Sequence, residues 1–103
     1  MSLTGAGLAG AQTAAPRFAQ PNLTPAGVRA LAANCAQCHG TGGRPVAGSQ
    51  IPRLAGRDRA ELVLQLTAFK QGALRATVMD QIARGYSDEE LAALADYFAR
   101  LPR

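Results

Sequence analysis

The chain has 103 residues, enough for one small domain, with a formal charge of +4 and no tryptophan. Three phenylalanines and two tyrosines leave few large side chains to fill an interior, and domains this small often need a metal or cofactor to consolidate them. The charge is only mildly basic and the arginines are scattered without interleaved aromatics, which argues against nucleic acid as a partner and favours acidic proteins.

Residues 1–23 are rich in Gly, Ala, Gln, Thr and Pro, and Leu3 through Ala15 carry no charge. The stretch reads as a secretory-signal remnant, with small residues around Gly10 to Ala15 as a cleavage site, or as a disordered leader. The basic start of a full signal is absent. The segment is too short and too weakly apolar to span a membrane, and it is expected to lie outside the fold.

The folded part, residues 24–103, begins at Thr24-Pro25, where Thr suits a helix cap and Pro the first helical position. Val28, Leu31, Ala32 and Cys35 follow at i, i+3, i+4 and i+7, forming one apolar face. Gly27 lies inside this helix, where it costs about 1 kcal/mol against alanine. Either another helix approaches closely there, or the first turn frays.

That face leads into Cys35-Ala-Gln-Cys-His39, the spacing of covalent c-type haem attachment. Each thiol adds across one porphyrin vinyl group, and the adjacent imidazole becomes the proximal iron ligand. On a helix Cys35 and His39 share a face, while Cys38 is displaced toward a second edge of the ring. A closed zinc site would need a fourth ligand of the usual kind, and the chain has two cysteines and one histidine. A thioredoxin-like pair would need a βαβ unit, which the sequence does not suggest. A structural disulfide stays open at this point.

Gly40 to Pro45 is a flexible loop by composition and runs on to Ile51-Pro-Arg-Leu-Ala-Gly56. A loop this long is usually functional, and here it would wrap one haem edge. The Pro52 carbonyl is a candidate acceptor for the Nδ1 proton of His39, orienting the imidazole as metal-bound histidines require. The alternative is that Pro52 merely ends a turn.

Asp58 to Glu61 has the form of a capping box, and the helix it opens places Leu62, Leu66 and Phe69 on one face before Gly72. Ala73 to Met79 reads as irregular, and Asp80 to Arg84 as a short helical turn closed by Gly85. Ser87 to Glu90 forms another capping box, with Leu91, Leu94, Ala95, Phe98 and Leu101 inward and Pro102 as the stop. The acids of that first turn complement the helix dipole. No segment alternates as a strand, so the expected fold is all-α.

Met79 is the single methionine besides Met1 and follows the irregular segment rather than an amphipathic stripe. It is the candidate sixth ligand, and a thioether there raises the reduction potential. Otherwise the iron is five-coordinate, or Lys70 binds after losing a proton. With one histidine in the chain, bis-His ligation is unavailable. No triad, phosphate-cradling loop or acid/base carboxylate pair is apparent, so electron transfer rather than catalysis is the expected role.

With these motifs in order, residues 24–103 resemble a single-haem class I cytochrome c domain. They are similar to the branch containing short bacterial soluble cytochromes and the haem subunit of flavocytochrome c sulfide dehydrogenase. The matching stretches are Cys35-Ala-Gln-Cys-His39-Gly40, Ile51-Pro-Arg-Leu-Ala-Gly56, Gln65-Leu-Thr-Ala-Phe-Lys-Gln-Gly72, Ala76 through Glu90, and Leu94-Ala-Asp-Tyr-Phe98. The resemblance implies about four helices wrapped around one covalent haem c. It implies attachment through Cys35 and Cys38, iron ligation by His39 and Met79, Pro52 orienting His39, and Leu54 packing on the haem. It also implies that the first and last helices cross, with Gly27 against Tyr97 and Phe98.

The implied role is a periplasmic electron carrier between redox donors and acceptors. The alternative is the electron-accepting subunit of a dehydrogenase, paired with a flavoprotein. The chain carries one haem motif and no flavin-binding fingerprint, so sulfide oxidation would require that separate partner. The arginines Arg44, Arg53 and Arg57 are expected to flank the exposed haem edge.

Overall fold

The helix starts expected from capping residues are made by those residues in the computed structural model, which describes residues 23–103. The leader expected over residues 1–23 lies, Leu23 apart, outside the described residues. Helix α1 (Pro25–His39) is opened by Thr24, whose Oγ1 accepts from the Gly27 amide at 3.0 Å, with Pro25 in the first turn. Gly27 thus serves the cap with its backbone.

Helix α2 (Arg59–Gln71) is opened by Asp58, whose carboxylate accepts from the Glu61 amide at 3.0 Å. The reciprocal half of that box is replaced: Glu61 Oε1 accepts from the Arg57 guanidinium at 3.0 Å. Gly72 ends α2 in the left-handed region at φ +79°, its amide turned back to Ala68 and Phe69. Helix α3 (Met79–Arg84) is shorter and starts at Met79 itself, one position before the expected turn. Helix α4 (Asp88–Arg100) carries a complete capping box, Ser87 and Glu90 satisfying each other's amides.

Among the described residues all regular structure is helical, apart from the turns of the loops. The core sits where three helices meet. Val28 and Ala32 of α1 and Leu62 of α2 pack with Leu94, Ala95 and Phe98 of α4, all buried. Removing each large side chain from water contributes about 1.5–3 kcal/mol, which is how a chain with few aromatics holds its helices together. Small residues of α1 let α4 approach closely: Ala32, Ala33 and Ala36 line a shallow hollow against Tyr97 and Phe98.

The long loop after α1 is fixed by backbone bonds. Gly40 (φ +89°) turns the chain out of α1, and a one-turn 3₁₀ helix (Thr41–Gly43) follows. The Gly43 carbonyl accepts from the amides of both Leu54 (2.9 Å) and Ala55 (3.1 Å), while the Gly56 amide donates to the Phe98 carbonyl (2.9 Å). A Cβ on Gly43 would lie 2.8 Å from Phe98 Cδ1, at a backbone φ of +76°. The loop is therefore sewn to α4 through a position that takes only glycine. Its strap passes in front of His39 and brings Ile51 to Leu54 to the same side.

Candidate cofactor site

α1 ends at the cysteine–histidine motif, α3 begins at Met79, and the loop over Ile51 to Leu54 closes the side between them. These three segments, with the inner faces of α2 and α4, surround a partly open cavity of about 860 Å³. Cys35, Cys38, His39, Pro52, Leu54 and Met79 all line it. The six side chains singled out in the sequence therefore meet at one cavity, although Pro52 and Met79 are distant from the motif along the chain.

His39 is the buried polar residue of the site, 8% exposed. Its Nδ1 lies 2.7 Å from the Pro52 carbonyl oxygen. A carbonyl only accepts, so Nδ1 carries the proton and donates, leaving Nε2 with a lone pair. That is the tautomer a metal ligand needs, oriented by a backbone atom.

Cys35 is half-buried and Cys38 exposed, and both are free thiols rather than a disulfide. Burial pushes the Cys35 thiol above its ordinary value, with a backbone hydrogen bond opposing the shift. Among the described residues, no three His, Cys, Asp or Glu side chains are grouped to hold a metal ion by themselves. The geometry of a closed zinc site is not what Cys35, Cys38 and His39 make.

The remaining wall is dominated by aliphatic and aromatic side chains, among them Leu62, Leu66, Phe69 and Leu94. An apolar chamber of this volume is within the range of small-molecule pockets, about 300–1,000 Å³. It has two thiols and an imidazole on one element and a thioether on another. This donor set suits a large, flat, iron-bearing hydrophobe: sulfur and nitrogen donors for attachment and ligation, hydrocarbon for the ring. The residues present fit a haem.

Charge gathers at the margin. Arg53 and Arg57 line the cavity, whereas Arg44, expected beside them, turns away and donates from Nη1 to the Pro102 carbonyl at 2.9 Å. The Arg57 guanidinium donates to Glu61 Oε1 and, from Nη2, to Gln65 Oε1 at 2.9 Å. Lys70 is not among the lining residues; its Nζ lies 2.9 Å from Asp88 Oδ1.

Sequence reasoning missed Gln65, Asn34 and Tyr86, all on the cavity wall. Gln65 had a usable signal, since it lies between Leu62 and Phe69 at helical spacing, a polar residue on an apolar face. Asn34 and Tyr86 had none. Asn34 Nδ2 donates to Tyr86 Oη at 3.3 Å across a separation of 52 residues, a pairing no periodicity encodes.

Comparison with known proteins points to c-type cytochromes. Residues 22–98 match the family described as cytochrome c oxidase, cbb3-type, subunit III. The cytochrome subunit of sulfide dehydrogenase from Chlorobaculum tepidum is 38% identical over 73 residues, 71% of this chain and 64% of that protein. A thiosulfate dehydrogenase electron acceptor from Stutzerimonas stutzeri is 41% identical over 70 residues, 65% of this chain. The match spans only 32% of that acceptor's own length. Cytochrome c-553 from Helicobacter pylori is 36% identical over 74 residues, 72% of this chain and 77% of that protein.

Proposed function

The chain belongs to the class I c-type cytochromes, and we propose that Cys35 and Cys38 carry its haem c while His39 and Met79 take the two axial positions. The observation that supports this most is the shared wall: both thiols, the imidazole and the thioether border one apolar cavity. Haem c, when bound, exchanges a single electron between its ferrous and ferric states.

The protein's own residues prepare that exchange. The Pro52 carbonyl holds His39 by Nδ1, so that Nε2 is the ligating nitrogen. Leu54 and the aliphatic wall pack the ring and exclude water, which disfavours the more charged oxidised state. With His39 and Met79 both ligating, the haem would have no open coordination site for a substrate. The reading is outer-sphere, one-electron transfer, not catalysis.

Residues 24–103 form the haem domain in this reading, and residues 1–23 an export leader or its remnant. Export follows from the chemistry of haem attachment and makes the protein periplasmic. No helix among the described residues is long and apolar enough to cross a membrane. The carrier would dock acidic redox partners beside Arg53, an exposed residue of the cavity wall. Similarity across 77% of a short cytochrome c-553 supports the free-carrier reading.

A second reading has its own support. Similarity to a sulfide dehydrogenase cytochrome subunit and to a thiosulfate dehydrogenase electron acceptor favours a dedicated electron-accepting subunit, paired with a flavoprotein or other dehydrogenase. Purification from the native host separates the two: a carrier elutes alone, a subunit with its dehydrogenase. The ligation itself is tested by optical spectra of the matured protein beside Met79→Ala. A low-spin spectrum with a weak sulfur-to-iron band in the red, lost in the variant, is expected. A high-spin spectrum in the unmutated protein rejects Met79.

A further inference from the structure

The segment that leads into Met79 lies at the surface. Residues 73–75, 77 and 78 are exposed, and Val78, the cap position before α3, offers no side-chain hydrogen bond. Among the described residues, no side-chain hydrogen bond or ion pair engages residues 73–79. α3 packs along α2, with Ala83 fully buried. Two residues beyond α3 comes Tyr86, whose amide continues the helical turn to the Ala83 carbonyl at 3.2 Å. Tyr86 therefore links the end of α3 to the core, its ring packing against the buried residues of α1, α2 and α4.

Its hydroxyl meets Asn34, the residue immediately before Cys35, at 3.3 Å. Among the described residues this is the one side-chain hydrogen bond joining α1 to the segment between α2 and α4. Either orientation of the Asn34 amide preserves it, since the phenol both donates and accepts. The bond ties the element bearing Met79 to the element bearing both thiols and His39, and both partners border the cavity.

We propose that Asn34 and Tyr86 are positioning residues that set how firmly Met79 stays on the iron, by joining α3 to α1 only while the cavity is closed. The inference rests on the reading that Met79 is the sixth ligand. A bond made in the closed state and lost when α3 swings away lowers the fraction of protein with an open sixth position. An external ligand binds only that fraction, so its apparent affinity reports the bond.

The test uses the haem-loaded protein, with imidazole as probe and the red sulfur-to-iron band as readout. Tyr86→Phe removes one oxygen and keeps the ring. Loss of one partly exposed hydrogen bond should raise the apparent affinity for imidazole roughly three- to fivefold. Asn34→Ala should do the same, and the double variant should go no further than either single one, because all three lose the same bond. Should Asn34→Ala, next to the attachment site, fail to mature, Tyr86→Phe alone decides.

Unchanged imidazole affinity in Tyr86→Phe overturns the proposal even if the variant melts at a lower temperature, because the bond is then merely structural. Single effects that multiply in the double variant overturn it too. If the unmutated protein lacks the red band, Met79 is no ligand and both readings fall. A band present, with an imidazole affinity unchanged by Tyr86→Phe, removes only this one.

Discussion

Nδ1 of His39 lies 2.7 Å from the carbonyl oxygen of Pro52, 13 positions further along the chain. The accepting atom belongs to the backbone, so what the chain must supply at position 52 is a placed carbonyl, not a particular side chain. Proline contributes by stiffening the loop. Pro52→Ala is therefore expected to keep the haem and the red band while lowering stability by about 0.4–1 kcal/mol, through a more flexible unfolded chain. Urea unfolding of the haem-loaded variant measures this. Loss of the band would mean that the ring itself positions the histidine.

Gly43 holds the same loop from its other end. Its carbonyl receives two amides and its missing Cβ leaves room for Phe98, 2.8 Å from where that atom would be. Gly43→Ala combines a left-handed backbone with a steric overlap and should destabilise by about 2–4 kcal/mol. Gly48 also has a positive φ, but a Cβ there would meet open space. Gly48→Ala should cost only about 1 kcal/mol. The difference between the two urea midpoints isolates the packing against Phe98.

Lys70 was the alternative iron ligand, and its position bears on that. Its ammonium pairs with Asp88 at 2.9 Å, across a contact in which the aspartate is 81% exposed. Such pairs contribute at most about 1 kcal/mol. Lys70→Ala is expected to shift stability by less than that and to leave the spectrum in both oxidation states unchanged. A change in spin state would place the amine near the iron after all.

The parts of the fold that could be read from sequence are those set by neighbours along the chain. Thr24, Asp58 and Ser87 announce three helix starts because a cap acts within three residues, and the inward stripe of α4 follows from helical spacing. The cysteine–histidine spacing is equally local. What stayed hidden depends on contacts between distant residues. The Glu61 carboxylate has two suitors, its own cap and Arg57, and only the folded loop decides for Arg57. Arg44 looked like its neighbours Arg53 and Arg57 until the chain end placed the Pro102 carbonyl within reach. Asn34 and Tyr86 meet only because the turn between α3 and α4 comes back to α1.

The axial position offers the sharpest test of what Met79 contributes. A thioether is a soft donor that favours ferrous iron, whereas an imidazole donates more strongly and favours the ferric state. Met79→His should therefore remain low-spin, lose the red sulfur-to-iron band, and lower the reduction potential. Axial ligands span roughly 0.8 V across haem proteins, so a fall on the order of 0.1–0.3 V is expected. Redox titration against mediators reads it directly. The apolar wall, with Leu54 and Leu94 in place, is common to both proteins, so the difference reports the ligand rather than the pocket. A potential unmoved by the exchange would show that residue 79 does not touch the iron, and the sixth ligand would have to be sought elsewhere on the wall.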